Sequence, residues 1–599
     1  MRKILKDIRE RLRYLVDRAF DREFAGQLML FGVLVVAVTM IGMTATFFGL
    51  FSIENKDVSG IPKGIDKGFW DSMWWSLHQV LRLRGLERMY GASGPVLAYA
   101  LFLSVMGLAV FGILVSVINN TMRSRIESLR KGETLVKERG HVLVLGWNNK
   151  GVSVLTQIAR LDPGARVVIL APIEVDNLRK TLRVAGIEQE PITVVLRSGK
   201  PSYLSELDRV AVNKSSSVII LSTDDDDSES TKTLVLLAAK NDWPGRVPTL
   251  TSEIALEQNY ELAKIAARER LQIVSSSRVI SKVIVQTIRN PGLAIVYKEL
   301  FSAGGNSLFV ENVAGCAERT IEEIAHGIGQ AIPIGIAWQE KKNDAIRHSA
   351  FLNPEADYEV AEEEQLVMMT RGLPVTFEPP ESRFVSDLCR DGGKSARVPQ
   401  RVLLIGWTDI FLDIVSELNA HALLGTQVTV LSNTTQEEAL KRLEKFSLTN
   451  LSLEFREGDA VNESVFEGLE LESYDTIIVL ADEKSCKGDV DTHTLRVMLR
   501  ISNLRRNDET RAHTVIELVD ETNRDLVAGL GVDDIVVSPD VVSAQLAQIA
   551  RQQVLGPIYR ELLSAGGIEI SLRSASDYVQ PGVPCRFEDF VFATQQQME

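Results

Sequence analysis

At 599 residues the chain is too long for a single hydrophobic core, so several domains are expected. A net charge of −14 argues against a nucleic-acid partner. The four cysteines (Cys316, Cys389, Cys486, Cys585) form no C-x-x-C pair, which excludes a cysteine-rich zinc site and a dense disulfide framework.

The charge is unevenly spread. Residues 1–139 hold 20 Lys/Arg against 13 Asp/Glu, a net of +7, which leaves −21 for the rest. A basic leader, 1–27, carries eight basic residues and precedes the first of two long apolar runs. Leu28–Phe51 and Pro95–Ile118 are each 24 residues without a charge. A helix needs about 20 such residues to cross the hydrocarbon of a bilayer, so both runs can span it in contact with lipid. The first is too long, and starts too late, for a cleaved signal peptide. An integral membrane pore domain over 28–118 follows. Arg123, Arg125, Arg130 and Lys131 succeed the second run, and basic flanks outside both spans put both termini in the cytoplasm.

Between the runs, "GFWDSMWWSLHQV" (68–80) has aromatic and apolar residues at helical spacing. It reads as a pore helix over about 66–80 that dips into the membrane, or else as an amphipathic helix in an extracellular loop. The filter region, about 80–91, then begins with Val80, Leu81, Arg82, Leu83, Arg84 and Gly85. An arginine facing lipid costs about 2.5–3.5 kcal/mol, so these arginines face water, pair with Glu87 or sit above the hydrocarbon. In the second run Gly107 and Gly112 are candidate gating hinges, with close helix packing as the alternative. Residues 119–139 form the linker to the rest of the chain.

From His141 the sequence repeats. "HVLVLGWNNKG" (141–151) matches "RVLLIGWTDIF" (401–411), "SVIILSTDDDD" (217–227) matches "TIIVLADEKSC" (476–486), and "YKELFSAGGNSLFV" (297–310) matches "YRELLSAGGIEISL" (559–572). Three matches in one order, offset by 259 to 262 residues, mark a duplication over 140–372 and 400–599. Each copy alternates short β-branched runs with helical patterns, which predicts a parallel sheet with crossover helices. Strands are expected at 141–145, 166–170, 192–196, 217–221 and 247–251, and at 401–405, 427–431, 452–455, 476–480 and 513–518. A small β-rich subdomain is expected at about 308–372, with its counterpart at 568–599 cut short. The Pro-, Ser- and Gly-rich stretch 373–399 is the linker between copies.

A dinucleotide site needs G-x-G-x-x-G after a strand and an acid near the end of the next strand. The first copy offers Gly146, Asn148 and Gly151, without the central glycine, and Glu174 beyond Pro172. The second offers Gly406, Thr408 and Phe411. NAD or another nucleotide is therefore a weakly encoded ligand, and a turn retained for packing accounts for the same residues. "STDDDDSES" (222–230) places Asp224, Asp225, Asp226 and Asp227 just past the fourth strand, and Asp482 and Glu483 stand at the corresponding place in the second copy. Such oxygen clusters suit Ca²⁺, although the spacing is not that of an EF-hand; a solvated loop capping the next helix is the alternative. The seven histidines are scattered and no catalytic constellation emerges, so an enzyme is not expected.

Several stretches carry a resemblance. "FWDSMWWS" (69–76), "ESLRKGETLV" (127–136), "VLVLGWNNKG" (142–151) and "DYEVAEEEQLVMM" (357–369) resemble the CASTOR/POLLUX family of ion channels, over roughly residues 65 to 572. The resemblance implies a membrane α-helical pore, two spans plus a re-entrant pore helix. Tandem α/β Rossmann-like domains would follow, similar to the RCK domains that regulate potassium-channel conductance, with small β-rich subdomains. It implies a homotetramer passing inorganic ions, cations in the family pattern, gated by a cytoplasmic ring and regulated by Ca²⁺. The short leader is more similar to a bacterial relative, which would sit in the inner membrane. Family filters place an acidic residue near Arg82 or Leu83, and no potassium-type T-V-G-Y-G is present; arginine rings favour anions, so this segment departs from the family. A non-conducting, membrane-anchored sensor of nucleotide or ions and an NAD-dependent membrane enzyme are the other readings.

Overall fold

The computed structural model describes residues 32–33, 35–44, 70, 73, 76–77, 94–132 and most of 134–594. Within the last range 224–226, 241–246, 257–258, 268–270, 303–304, 343–344, 379–397, 445, 484–487, 506–511, 564–567, 586–589 and 592 are not described. The chain divides into two compact units, Met1–Lys131 and Gly132–Glu599.

In the first unit the dominant element is α1 (Gly94–Lys131). Its stretch Leu97–Ser116 is long and apolar enough to cross a membrane, and Val35–Thr44 is a shorter apolar helix. Gly42 lets that shorter helix approach its neighbours closely: a Cβ there would stand 2.8 Å from Ser76 Cβ and 3.3 Å from Leu103 Cδ2. Tyr99 Oη donates to the Ile41 carbonyl at 2.8 Å. Trp70, Met73, Ser76 and Leu77, the described residues of the expected pore helix, are helical. α1 passes through Gly107 and Gly112 without a break and runs on to Lys131, so the expected linker is helical over 119–131.

The second unit holds two α/β halves. The first comprises β1 (Val142–Leu145), α2 (Gly151–Leu161), β2 (Arg166–Ala171), α3 (Val175–Val184), β3 (Thr193–Ser198), α4 (Leu204–Arg209), β4 (Ser217–Ile220), α5 (Ser228–Ala239), β5 (Thr249–Ile254), α6 (Tyr260–Ala267) and β6 (Gln272–Ser275). Then come α7 (Ser276–Arg289) and α8 (Leu293–Phe301). An antiparallel sheet follows, from β7 (Ser307–Glu311), β8 (Ala331–Lys342), β9 (Ala345–Leu352) and β10 (Gln365–Thr370), with α9 (Ile321–Gly327) after β7. The second half comprises β11 (Arg401–Ile405), α10 (Phe411–His421), β12 (Thr426–Ser432), α11 (Gln436–Leu443), β13 (Leu451–Glu457), β14 (Thr476–Val479), α12 (Val490–Leu504), β15 (His513–Leu518), α13 (Arg524–Ala528), β16 (Asp534–Val537), α14 (Ser538–Arg551) and α15 (Leu555–Leu562).

Both parallel sheets have one order, β3-β2-β1-β4-β5-β6 and β13-β12-β11-β14-β15-β16; the small sheet runs β7-β10-β8-β9. Central strands such as β4 ("SVII") and β14 ("TIIV") are buried along their whole length, as strands covered by helices on both faces must be. Alternate residues serve different cores. Leu143 and Leu145 point to an outer core of the first half, and Leu403 and Ile405 to that of the second, while Val144, Val402 and Leu404 join one core shared by both halves.

That shared core is built by exchange. α14, from the end of the second half, packs on α2 of the first, and α7, from the end of the first, packs on α10 of the second. Ser153 Oγ donates to Asp540 at 2.6 Å and Ser543 Oγ to the Lys150 carbonyl at 3.1 Å. On the other side Arg289 donates to Glu569 at 2.7 Å and lies 3.0 Å from His421 Nδ1. At the centre Phe301 stacks on Tyr297 and meets the ring edge of Tyr559, with both centroid separations 5.3 Å. The two phenols are related by the repeat: Tyr297 donates to Gln286, and Tyr559 to Gln548. Burial pushes both phenol pKa values well up, so both remain donors.

Candidate functional site: the strand-end loops of the two halves

In each sheet the strand order reverses between the first and fourth strands, and such sheets bind ligands outside the carboxyl ends of the strands at that point. In the first half this place is occupied by a closed polar network around Glu253, at the end of β5. Its carboxylate accepts from Ser276 Oγ at 2.6 Å, Asn148 Nδ2 at 2.8 Å and the Ser222 N–H at 3.1 Å, and pairs with Lys150 Nζ at 2.9 Å. Burial alone would raise the pKa of this fully buried acid. The Lys150 ammonium and the hydrogen bonds from Ser276, Lys150 and Asn148 outweigh it and hold the group below the usual range.

The fingerprint residues have local tasks. Gly146 adopts φ +87°, and a Cβ there would lie 2.5 Å from the Leu221 carbonyl oxygen, so its glycine is required by the neighbouring strand. Asn148 is bonded on both sides of its amide, to Ser222 O at 2.9 Å, to Glu253, and from the Lys150 N–H at 3.0 Å. The Trp147 ring lies over Gly151, whose hypothetical Cβ would meet it at 2.7 Å. In the second half Trp407 stacks on Phe411 with centroids 3.9 Å apart. An indole thus packs at each helix start, the place where the pyrophosphate rests in a dinucleotide site. Glu174 lies exposed past the end of β2 as the residue preceding α3.

The acidic candidates separate. Val80, Leu81, Arg82, Leu83, Arg84 and Gly85, and likewise Asp224, Asp225 and Asp226, lie outside the described residues. Asp227 is fully buried, and its oxygens accept from Ser222 Oγ (2.7 Å), the Ala255 and Leu256 N–H groups (2.8 and 3.0 Å) and Asn259 Nδ2 (3.1 Å). This carboxylate ties down the loop after β5. Asp491 does the same in the second half, accepting from the Val519 and Asp520 N–H groups at 2.8 and 2.9 Å and from Asn523 Nδ2 at 2.8 Å. Asp482 is buried and accepts from the Trp407 N–H at 2.9 Å, while Glu483 is exposed. Among the described residues no group of three or more His, Cys, Asp or Glu is placed to hold a metal ion.

The roles of Glu253, Lys150 and Asp491 were not read from sequence. The one available signal was the repeat itself: Glu253 and Glu517 stand at matching positions, as do Asp227 and Asp491. Glu517 accepts from Ser538 and from the Ala481 N–H, as Glu253 does from Ser276 and Ser222. Ile410 replaces Lys150, however, so among the described residues no lysine reaches it. Burial pushes the Glu517 carboxyl up to about 7 against those two hydrogen bonds, with the charges of Glu483 and Asp491 adding to the rise.

The described residues thus form a doubled Rossmann-type α/β unit with exchanged helices, which follows an apolar helix in the chain. A model of the Castor and Pollux family, described as part of a voltage-gated ion channel, matches residues 277–376. Ion channel CASTOR of Lotus japonicus is 24% identical over 550 residues, covering 84% of this chain and 63% of that protein. The probable ion channel POLLUX of Oryza sativa subsp. japonica is 23% identical (89% and 58%), and that of Arabidopsis thaliana 24% (89% and 69%). The chain is thus similar, over most of its length, to proteins named as CASTOR and POLLUX ion channels. The chain spans about three fifths of the length of the first two of these relatives. Among solved structures, the GsuK channel bound to NAD is 14% identical, covering 89% of this chain and 84% of that one at a TM-score of 0.43. The human SLO3 gating ring is 12% identical, covering 71% and 84% at 0.49.

Proposed function

We propose that the chain is the subunit of a ligand-gated ion channel, with the Met1–Lys131 unit contributing the pore and the paired α/β halves forming the cytoplasmic gating part. The observation that carries this reading is the similarity to named ion channels across 79–89% of the chain, together with the apolar stretch Leu97–Ser116 that precedes both halves. α1 continues to Lys131, and β1 opens at Val142, so a rearrangement of the halves has only a short covalent link to the pore-lining candidate. A homotetramer and permeation by cations follow from the family resemblance. The basic flanks of the apolar runs support cytoplasmic termini.

For the ligand, the closed turn at Trp147 and Asn148 requires the indole to be displaced before NAD or another nucleotide enters. Calcium remains the ligand to test at Asp224–Asp226, with Asp227 spared because its carboxylate supports the loop. Purified protein in planar bilayers, under biionic gradients and stepped Ca²⁺ or NAD, tests the reading. Unitary currents with a defined reversal potential and a ligand-dependent open probability are expected. Silence under all conditions would leave the membrane-anchored sensor.

A further inference from the structure

Between the end of α1 at Lys131 and the start of β1 at Val142 the chain is fastened to the first half. Gly132 turns with φ +67° against the edge strand β3: a Cβ there would stand 2.9 Å from the Leu196 carbonyl oxygen and 2.9 Å from Val175 Cγ2. So close an approach in the left-handed region admits only glycine. Arg197 Nε, on β3, donates to the Thr134 carbonyl at 2.8 Å, and Arg209 Nη1, at the end of α4, lies 3.4 Å from the Gly132 carbonyl oxygen. Val136 is 5% exposed and belongs to the outer core of the first half. Its N–H donates to the Arg209 carbonyl at 2.9 Å, and the Gly140 N–H to the Lys214 carbonyl at 2.7 Å.

The repeat shows what is particular to this edge. Arg197 pairs in register with Leu170 of β2, as Arg456 of β13 does with Leu431 of β12, so the two arginines are equivalent. Arg456 donates to the Glu467 carbonyl, later in its own half, whereas Arg197 reaches back to the segment that arrives from α1. A free coil of this length would absorb a displacement as slack. Charge-assisted hydrogen bonds and the buried Val136 hold this one in register with β3 and α4 instead.

We infer that residues 132–136 are a clamp, with Arg197 as its positioning residue, through which the β3–α4 edge of the first half is coupled without slack to α1. The inference rests on the pore reading only for what the coupling moves; the clamp itself is independent of conduction. Displacement of this edge is passed to α1 at Gly132, while residues 137–139, between the clamp and the Gly140 anchor, carry no load.

Hydrogen–deuterium exchange on the full-length detergent-solubilised protein reads the clamp. The Val136 amide is expected to exchange at least tenfold more slowly than an unstructured amide. Arg197→Gln is expected to speed it at least threefold, and Arg456→Gln to leave it unchanged, with β4 amides protected in both as the check on folding. Planar bilayers read the coupling, through insertion of three glycines either between Lys131 and Gly132 or between Glu138 and Arg139. The first insertion is expected to change open probability at least threefold and the second to leave it at the parent value; a slack tether gives equal effects. The insertions remove no side chain, so they serve if Arg197→Gln does not fold. The inference is overturned if Val136 is unprotected in the parent protein, if the Arg197 and Arg456 variants exchange alike, or if both insertions shift open probability equally. Silence of the parent protein overturns the channel reading instead, and exchange alone then decides the clamp.

Discussion

Glu253 and Glu517 occupy the same place in the two halves, each accepting from the serine that starts the next helix, and among the described residues only Glu253 faces a cation. One carboxylate is held ionised by Lys150; the other, pushed up to about 7, gains its proton near neutrality. The serine bonded to Glu517 is Ser538, the first residue of the exchanged helix α14. The protonation state of one buried acid is thereby coupled to the element that joins the halves.

For an acid whose folded-state pKa is raised, the folded state binds more protons than the unfolded one between the two pKa values. Stability therefore falls as pH rises from the ordinary glutamate range to about 7. Glu517→Gln removes this loss. Thermal melts are expected to show little change near pH 5 and stabilisation on the order of 3 kcal/mol near pH 8. Parallel melting curves for parent and variant across this range would refute the assignment.

Lys150→Met leaves Glu253 buried without its cation. A loss of about 3–5 kcal/mol is expected at alkaline pH, because removing one partner of a buried pair strands the other charge. The gap narrows in acid, since the stranded carboxyl then takes a proton, and melts at several pH values measure it. A gap constant with pH would mean that Lys150 acts by packing alone.

Asp227→Asn replaces an acceptor that faces two backbone N–H groups and the Asn259 amide with one that is half donor. Asparagine tolerates the left-handed conformation at this position, φ +58°, so the cost isolates the hydrogen bonds. A loss of about 1–3 kcal/mol in chemical denaturation is expected. Asp224→Asn, Asp225→Asn and Asp226→Asn together are expected to leave stability unchanged, so a Ca²⁺ response lost only in this triple variant would report on ligation.

Gly146→Ala and Gly406→Ala distinguish strain from collision. Both positions have positive φ, but a methyl at 146 would meet a backbone oxygen at 2.5 Å, whereas the nearest atom at 406 is 3.3 Å away. Gly406→Ala is expected to cost about 1–2 kcal/mol and Gly146→Ala clearly more, read from denaturation midpoints. Equal losses would show that the β1 turn has room to shift.

Much of the α/β architecture was legible because parallel strands buried on both faces are continuous apolar runs. The run expected at 401–405 is β11, and that at 513–518 is β15. The edge strands β6 ("QIVS") and β16 ("DIVV") are not among the expected runs, since each is short and passes directly into a helix, at Ser276 and Ser538, with no turn residues to mark its end. The acidic loops were aligned on their strands, at an offset near 259, which set Asp482 and Glu483 against the aspartate run. Extra residues after β14 shift the helix that follows, so the partner of Asp227 is Asp491. The exchange itself joins residues such as Ser153 and Asp540, far apart in the chain, and no local pattern carries that pairing.

The traded helices bear on how such a chain could arise. A single-copy ancestor would have had to complete its core with α7-like helices from a second, identical subunit, and a symmetric pair must repeat every residue on both sides of its axis. Fusion of the two copies released that constraint. Arg278 could diverge from Asp540, and Lys150 from Ile410, while the shared core stayed in place. Within one chain, the two copies can thus keep a common core and still present unlike faces.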